Sequence, residues 1–316
     1  MPLPAAMITM FKAMPSLDSF RLRFRLGRRA SIITLAICAA AVGLGGCSLI
    51  KLGYGQASPF AFRWLDRYVD FDDAQSLRVR SALDDWFAWN RRSQLPDYAD
   101  LLVRAQVEVL ADATPERMCG WAADVRGRVE TALERTLPVI ADVLPTLSPA
   151  QIGNVEKRYR ERNEEFRDEF VQRDPGKRRR EAIKREIERA KMLYGDLDDS
   201  QREFVAASVA SSPFDAELSY SERLRRQQDG LAMMKRVAIP GTGRDDAESQ
   251  ARAYVRRLDR SPREAYRAYS ERLVAYNCAF AAALHNRTTP PQRRQAAKKL
   301  KGYEVDLREL AADSAS

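Results

Sequence analysis

The stretch "LSPAQIGNVEKRYRERNEEFRDEFV", 147–171, decides the fold class. Ser148 followed three residues later by Gln151 is a capping box. The hydroxyl can accept the N3 amide while the glutamine side chain reaches back to the cap's own N–H. Pro149 at the first helical position loses an N–H that would have no partner there. From Glu156 to Val171, Tyr159, Phe166 and Phe170 form a thin apolar seam with Asn163 inside it, and nearly everything else is charged. That is the pattern of a helix that buries one narrow stripe.

The same signature recurs as "DDAQ" at Asp72, "DDSQ" at Asp198 and "TPPQ" at Thr289, with weaker versions at "TPER" (Thr114) and "SPRE" (Ser261). The unequal spacing argues against a solenoid repeat. Each box is read as a helix start and nothing more specific. Alternating β-branched runs, the mark of strands, are missing. The caps and breakers place helices at 60–70, 72–91, 96–112, 115–137, 139–146, 149–173, 176–195, 199–211, 213–238, 245–259, 262–286 and 290–311. The expectation is an all-α chain: an elongated multi-helix bundle with one long charged helical hairpin turning at "RDPGK". Pairs Glu156/Arg160, Glu169/Arg173 and Glu181/Arg185 stand at the supportive i,i+4 spacing. Trp64, Trp86, Phe87, Trp89, Leu101, Leu102, Val107 and Leu110 read as core. "IPGTGRDD", 239–246, is the clearest internal loop and a candidate sub-boundary within a helical domain of 59–312.

The chain has 316 residues, 31% of them charged, and a net charge of +9. Much of that excess precedes Cys47, where six basic residues face one acid, so removing 1–46 lowers +9 by five, to +4. "RLRFRLGRR", 21–29, followed by the fifteen apolar-rich residues 30–44, has the proportions of a signal peptide. It is shorter than the roughly 20 residues a membrane-spanning helix needs. Leu44-Gly45-Gly46-Cys47 looks like a bacterial lipobox, with small residues at the cut and a thiol to take the lipid. The expectation is a cleaved 1–46, lipid on Cys47, a tether over 47–58, and a periplasm-facing protein on the envelope. Ser48, in place of an Asp, points to the outer membrane. Nucleic acid is not an expected partner, because the basic excess belongs to the targeting segment.

Cys38 would leave with the signal peptide, and Cys47 carries lipid. Cys119 and Cys278 remain as an even pair in an oxidising compartment, read as a disulfide, with two separate buried thiols as the alternative. Two cysteines and one histidine do not furnish a four-ligand zinc site, so neither a metal nor another cofactor is expected. His285 lies late in a helix, where a cation suits the dipole, and reads as a C-terminal cap.

Two constellations carry binding potential. Trp89, Arg91, Arg92 and Tyr98 stand in "WFAWNRRSQLPDYADLL", 86–102. An aromatic helix–helix corner explains them more simply than a ligand patch does. Arg178, Arg179 and Arg180 stand in "GKRRREAIKR", 176–185. They could meet phosphate-bearing lipids or an acidic partner, but a solvated hairpin tip is the simpler account. No Gly-x-Ser-x-Gly, no His-Glu-x-x-His and no Ser/His/Asp set suggests catalysis.

Cys47-Ser48, Trp64 with Asp66 and Tyr68, Gln75, Trp89-Asn90-Arg91, Leu95-Pro96-x-Tyr98-Ala99, Cys119 and Asn277-Cys278 resemble the pattern of an uncharacterised family of proteobacterial lipoproteins with a domain of unknown function. The resemblance covers essentially 47–310. It implies an envelope lipoprotein and supplies no activity. Asn90 departs from the pattern, standing where that family carries His, which favours a structural role at this position. Capped helices with charged seams are also broadly similar to small periplasmic helical chaperones, by analogy of form alone. The expected function is binding, as an envelope chaperone or assembly factor for protein clients. The alternative is a scaffold docking one folded envelope partner; an enzyme ranks last.

Overall fold

A computed structural model describes residues 53–313. The expected signal peptide, the expected lipidation residue Cys47 and the first part of the expected tether lie outside the described residues. Among the described residues there is no strand. The helices are α1 (Ala57–Val69), α2 (Asp73–Trp89), α3 (Leu95–Glu108), α4 (Pro115–Glu134), α5 (Leu137–Val143), α6 (Pro149–Phe166), α7 (Pro175–Tyr194), α8 (Asp199–Ser211), α9 (Ala216–Val237), α10 (Arg244–Asp259), α11 (Glu264–Asn286) and α12 (Pro290–Ala312). All-α, as expected, they form a multi-helix bundle, and residues from Gln56 onward make one compact unit.

All four boxes start helices where the sequence placed them, at Asp72, Ser148, Asp198 and Thr289. Thr114 also caps, accepting the Arg117 N–H. At the sixth, α11 begins only at Glu264, and the Ser261 hydroxyl accepts the Arg263 N–H.

The boxes do more than start helices, because the structure joins them in two pairs. Gln75 and Gln151 exchange side-chain amide bonds, Gln151 Nε2 to Gln75 Oε1 at 2.6 Å and Gln75 Nε2 to Gln151 Oε1 at 3.3 Å. Gln201 and Gln292 do the same at 2.8 and 3.0 Å. Each amide also donates to the carbonyl two residues before its partner's N-cap. Gln75 reaches Thr146 and Gln151 reaches Asp70. Gln201 reaches Arg287 and Gln292 reaches Asp196. Four local caps therefore become two long-range clasps that tie α2 to α6 and α8 to α12. Asp70, the one non-glycine residue with positive φ among those described, presents its carbonyl to the first clasp. Aspartate tolerates that left-handed conformation better than most residues.

Each clasp sits beside an apolar cluster. Around the first, Phe62, Val79, Val143, Ile152, Met233 and Val237 are buried between α1, α2, α5, α6, α9 and α10. Around the second, Ala190, Leu197, Val205 and Leu284 are buried between α7, α8 and α11. The expected seam on α6 faces α9, with Phe166 stacked on Tyr220 at 5.8 Å and Phe170 at 4.7 Å from Phe166. Asn163 within it trades amide bonds with Gln227 and accepts from Arg223. Of the three expected ion pairs, Glu156–Arg160 forms. Arg185 crosses the α6–α7 turn to Glu169, which lies in a π-turn at Arg167–Val171.

Three residues read as core are on the surface. Trp64 is 40% exposed, Val107 70% and Leu110 50%. On α3 the buried stripe is Leu95 and Ala99, and fully buried Ala99 and Ala296 let α3 and α12 approach closely. Charged latches hold that contact: Gln106 and Lys301 donate to Glu304, and Arg308 bridges Glu304 and Asp100.

Candidate functional site

The aromatic corner is not a break between helices. α2 runs into a π-turn, Asn90–Gln94, and on into α3. Pro96 has no N–H for the Arg92 carbonyl and its ring crowds that oxygen. The turn relaxes to the wider spacing, with the Leu95 N–H on the Asn90 carbonyl. Such single π-turns often mark functional positions. Asn90 is buried there and its amide donates toward the Tyr98 phenol at 3.5 Å. Burial raises the Tyr98 pKa, the hydrogen bond from Asn90 partly opposing it.

The tryptophans of the corner lie against α4. Trp86 donates from Nε1 to the Ala132 carbonyl at 3.1 Å, and the Arg135 guanidinium lies 5.7 Å from the Trp89 ring. Asp97 is taken by Arg128. Arg91 is half-buried and Arg92 exposed. Trp89 and Tyr98 thus belong to the packing of α2, α3 and α4, and Arg92 is the member of this group that faces solvent.

Arg178, Arg179 and Arg180 stand elsewhere, near the start of α7. Arg178 donates to the Gln172 carbonyl, while Arg179 and Arg180 are exposed. Cations at a helix N-terminus oppose the dipole. Asp174 offsets this by accepting the Gly176 and Lys177 N–H groups, which holds its carboxyl below the usual range. The structure therefore separates the two expected constellations onto different elements. An open depression of about 420 Å³ at the α6 π-turn is lined by Glu164, Arg167, Asp168, Val171, Gln172 and Arg173.

Two surface features escaped the sequence reading. On α3, Val103 (41% exposed) and Val107 stand one turn apart facing solvent, and Leu110, in the turn that follows α3, is exposed beside them in sequence. On α1, Phe60 (58% exposed) and Trp64 share one face. Helical spacing shows that such residues share a face, but not whether that face is covered.

The buried charges are structural latches. Glu222 on α9 is 1% exposed and accepts from Arg225, Arg226 and Arg263. Burial alone would raise its pKa, but hydrogen bonds from Arg225, Ser261 and Arg226 win and bring it down to about 2. Hydrogen bonds from Lys301, Arg308 and Gln106 likewise hold Glu304 at about 2. Among the described residues, no group of three His, Cys, Asp or Glu side chains could hold a metal ion.

His285 is not an exposed, charged cap. It is 2% exposed, with Nε2 at 2.7 Å from the Ala111 carbonyl and Nδ1 at 2.8 Å from the Tyr194 hydroxyl. The carbonyl can only accept, so Nε2 carries the hydrogen and Nδ1 accepts from Tyr194. Burial lowers the histidine pKa, with the hydrogen bond to Ala111 partly opposing, and pushes Tyr194 up to about 12. A neutral imidazole contributes its full stability above its unfolded pKa of about 6.5 and loses it as pH falls through that value toward the lower folded one. Thermal melts are expected to shift downward between pH 6.5 and 5, with this step absent in His285→Gln. An equal shift in the variant refutes the assignment, since the chain has no other histidine.

Cys119 on α4 and Cys278 on α11 are joined, with Cα atoms 5.3 Å apart. Residues 67–248 match a family described only as of unknown function, DUF6279. That span holds Asn90, Tyr98, Cys119 and three of the four clasp glutamines; Cys278 and Gln292 lie beyond it. No curated protein and no solved structure matches.

Proposed function

The chain belongs to the DUF6279 family, and we propose that it is a lipid-anchored protein of the bacterial envelope that acts by binding client proteins, as a chaperone or assembly factor. In this reading 1–46 is removed, Cys47 carries the lipid, and the helical domain faces the periplasm from the outer membrane. The lipobox and the positive, then apolar, leader support the anchor. The paired Cys119 and Cys278 suit an oxidising compartment.

The observation that carries the binding role is the exposed apolar group Val103 and Val107 on α3 with Leu110 in the turn just after it, on a helix whose other face packs against α12. An exposed apolar surface rimmed by charge is where partly folded chains gain contact area. The purified protein is expected to suppress aggregation of a denatured envelope client at low molar ratio, and Val107→Asp with Leu110→Asp to abolish most of that effect. No suppression by the unmodified protein sinks the chaperone reading. The anchor is tested apart: Cys47→Ala should leave an uncleaved precursor without labelled palmitate, and a matured, labelled variant would refute lipidation.

A second reading, a scaffold docking one folded envelope partner, draws on Arg179 and Arg180. These cations are exposed in the second turn of α7, open to an acidic partner. It predicts one dominant crosslinked partner from membranes, lost in Arg179→Glu with Arg180→Glu.

A further inference from the structure

We propose that the outer face of α1, formed by Phe60, Arg63, Trp64 and Arg67, rests on an anionic phospholipid surface. These residues stand at i, i+3, i+4 and i+7, and all four are exposed. The opposite face of α1 is committed to the protein: Phe62 is buried in the first core cluster, and the Arg80 guanidinium lies 3.4 Å from its ring. α1 is therefore an amphipathic helix with a second apolar surface that, among the described residues, stays exposed.

The composition of that surface fits a lipid interface. Tryptophan and phenylalanine gain by leaving water while remaining at headgroup level, and arginine pairs with lipid phosphate. Trp64 packs against Tyr68 at 4.8 Å and Arg63 lies 4.9 Å from the Phe60 ring, so the aromatic and cationic groups are interleaved. The charge is one-sided. The single acid of α1, Asp66, accepts the Phe71 N–H at 3.0 Å. Asp84 accepts from Ser58, which lies across the helix from Phe60.

The place of α1 in the chain supplies the second argument, and it rests on the proposed lipidation at Cys47. Nine residues, 48–56, separate that cysteine from α1. At about 3.3–3.6 Å each they span at most roughly 30 Å. An anchored Cys47 would keep α1 within reach of the bilayer, at an effective concentration that lets a weak contact persist.

The test uses the full-length chain reconstituted in phosphatidylethanolamine/phosphatidylglycerol vesicles with brominated acyl chains. Bromolipid quenching of tryptophan fluorescence is expected, and most of it should vanish in Trp64→Phe. Arg63→Glu with Arg67→Glu, or vesicles of phosphatidylcholine alone, should reduce quenching several-fold. Quenching that Trp64→Phe leaves unchanged, or none at all, overturns the proposal. So does a Trp64 that is shielded by a co-purifying protein instead of lipid. Intact-mass measurement of the same preparation reads Cys47 separately. Lipid on Cys47 with an unquenched Trp64 defeats this inference alone, whereas a bare Cys47 defeats the anchor reading.

Discussion

Replacing both Cys119 and Cys278 by serine should lower unfolding stability by about 2–5 kcal/mol, among the largest effects of any change in this protein. The bond joins α4 to α11 across a sequence separation of 159 residues, and cross-linking so long a loop removes many conformations from the unfolded chain. Local packing on that side is thin, since α4 has no fully buried residue of its own. Without the cross-link, α4 is held by side-chain contacts such as Trp121 to Glu108 and Arg128 to Asp97, which are partly open to water. Denaturant unfolding of the wild type with and without reductant, beside the double serine variant, checks the claim. Reductant should bring the wild type to the variant's midpoint and leave the variant unmoved. A wild type indifferent to reductant would mean that the pair contributes nothing.

The second large effect belongs to the glutamine clasps. Gln201→Ala should cost about 2–4 kcal/mol, since it opens a cavity and leaves buried polar groups unpaired. The Asp198 N–H, the Arg287 carbonyl and the amide of Gln292 would each lose a partner. Gln201 is 1% exposed, so water does not readily replace them. Asp198→Ala removes only the local cap and should cost nearer 1 kcal/mol. The comparison separates the two roles of the box. A double-mutant cycle on Gln201 and Gln292 should show coupling of about 0.5–3 kcal/mol. Additive losses would reduce the clasp to two independent caps.

The boxes show how far local reading goes. Asp72-x-x-Gln75 announces a helix because the cap is made by residues three apart. Nothing local states that Gln75 will meet Gln151 rather than Gln201 or Gln292, since all four boxes carry the same amide. The choice follows from which apolar faces pack together. The exposed apolar faces are less legible. Trp64, Val107 and Leu110 were expected in the core because large apolar residues usually are. They are exposed because Phe62 on α1, and Leu95 and Ala99 on α3, already fill the facing stripes. His285 reads as a charged cap from its place at a helix end. Its burial between Tyr194 and Ala111 involves residues 91 and 174 positions away.

By itself the sequence determined the all-α class, the places where most of its helices begin, and Cys119 and Cys278 as the even pair left to join. Each rests on interactions within one helical turn or on simple counting. The tertiary structure alone decided that the caps clasp in pairs and that α2 passes into α3 through a π-turn. It also decided that Trp89 and Tyr98 stand apart from Arg178–Arg180, and that α1 and α3 turn aromatic and aliphatic faces to the outside. Those outcomes depend on which helix faces compete for the same buried space, a competition among residues tens to hundreds of positions apart.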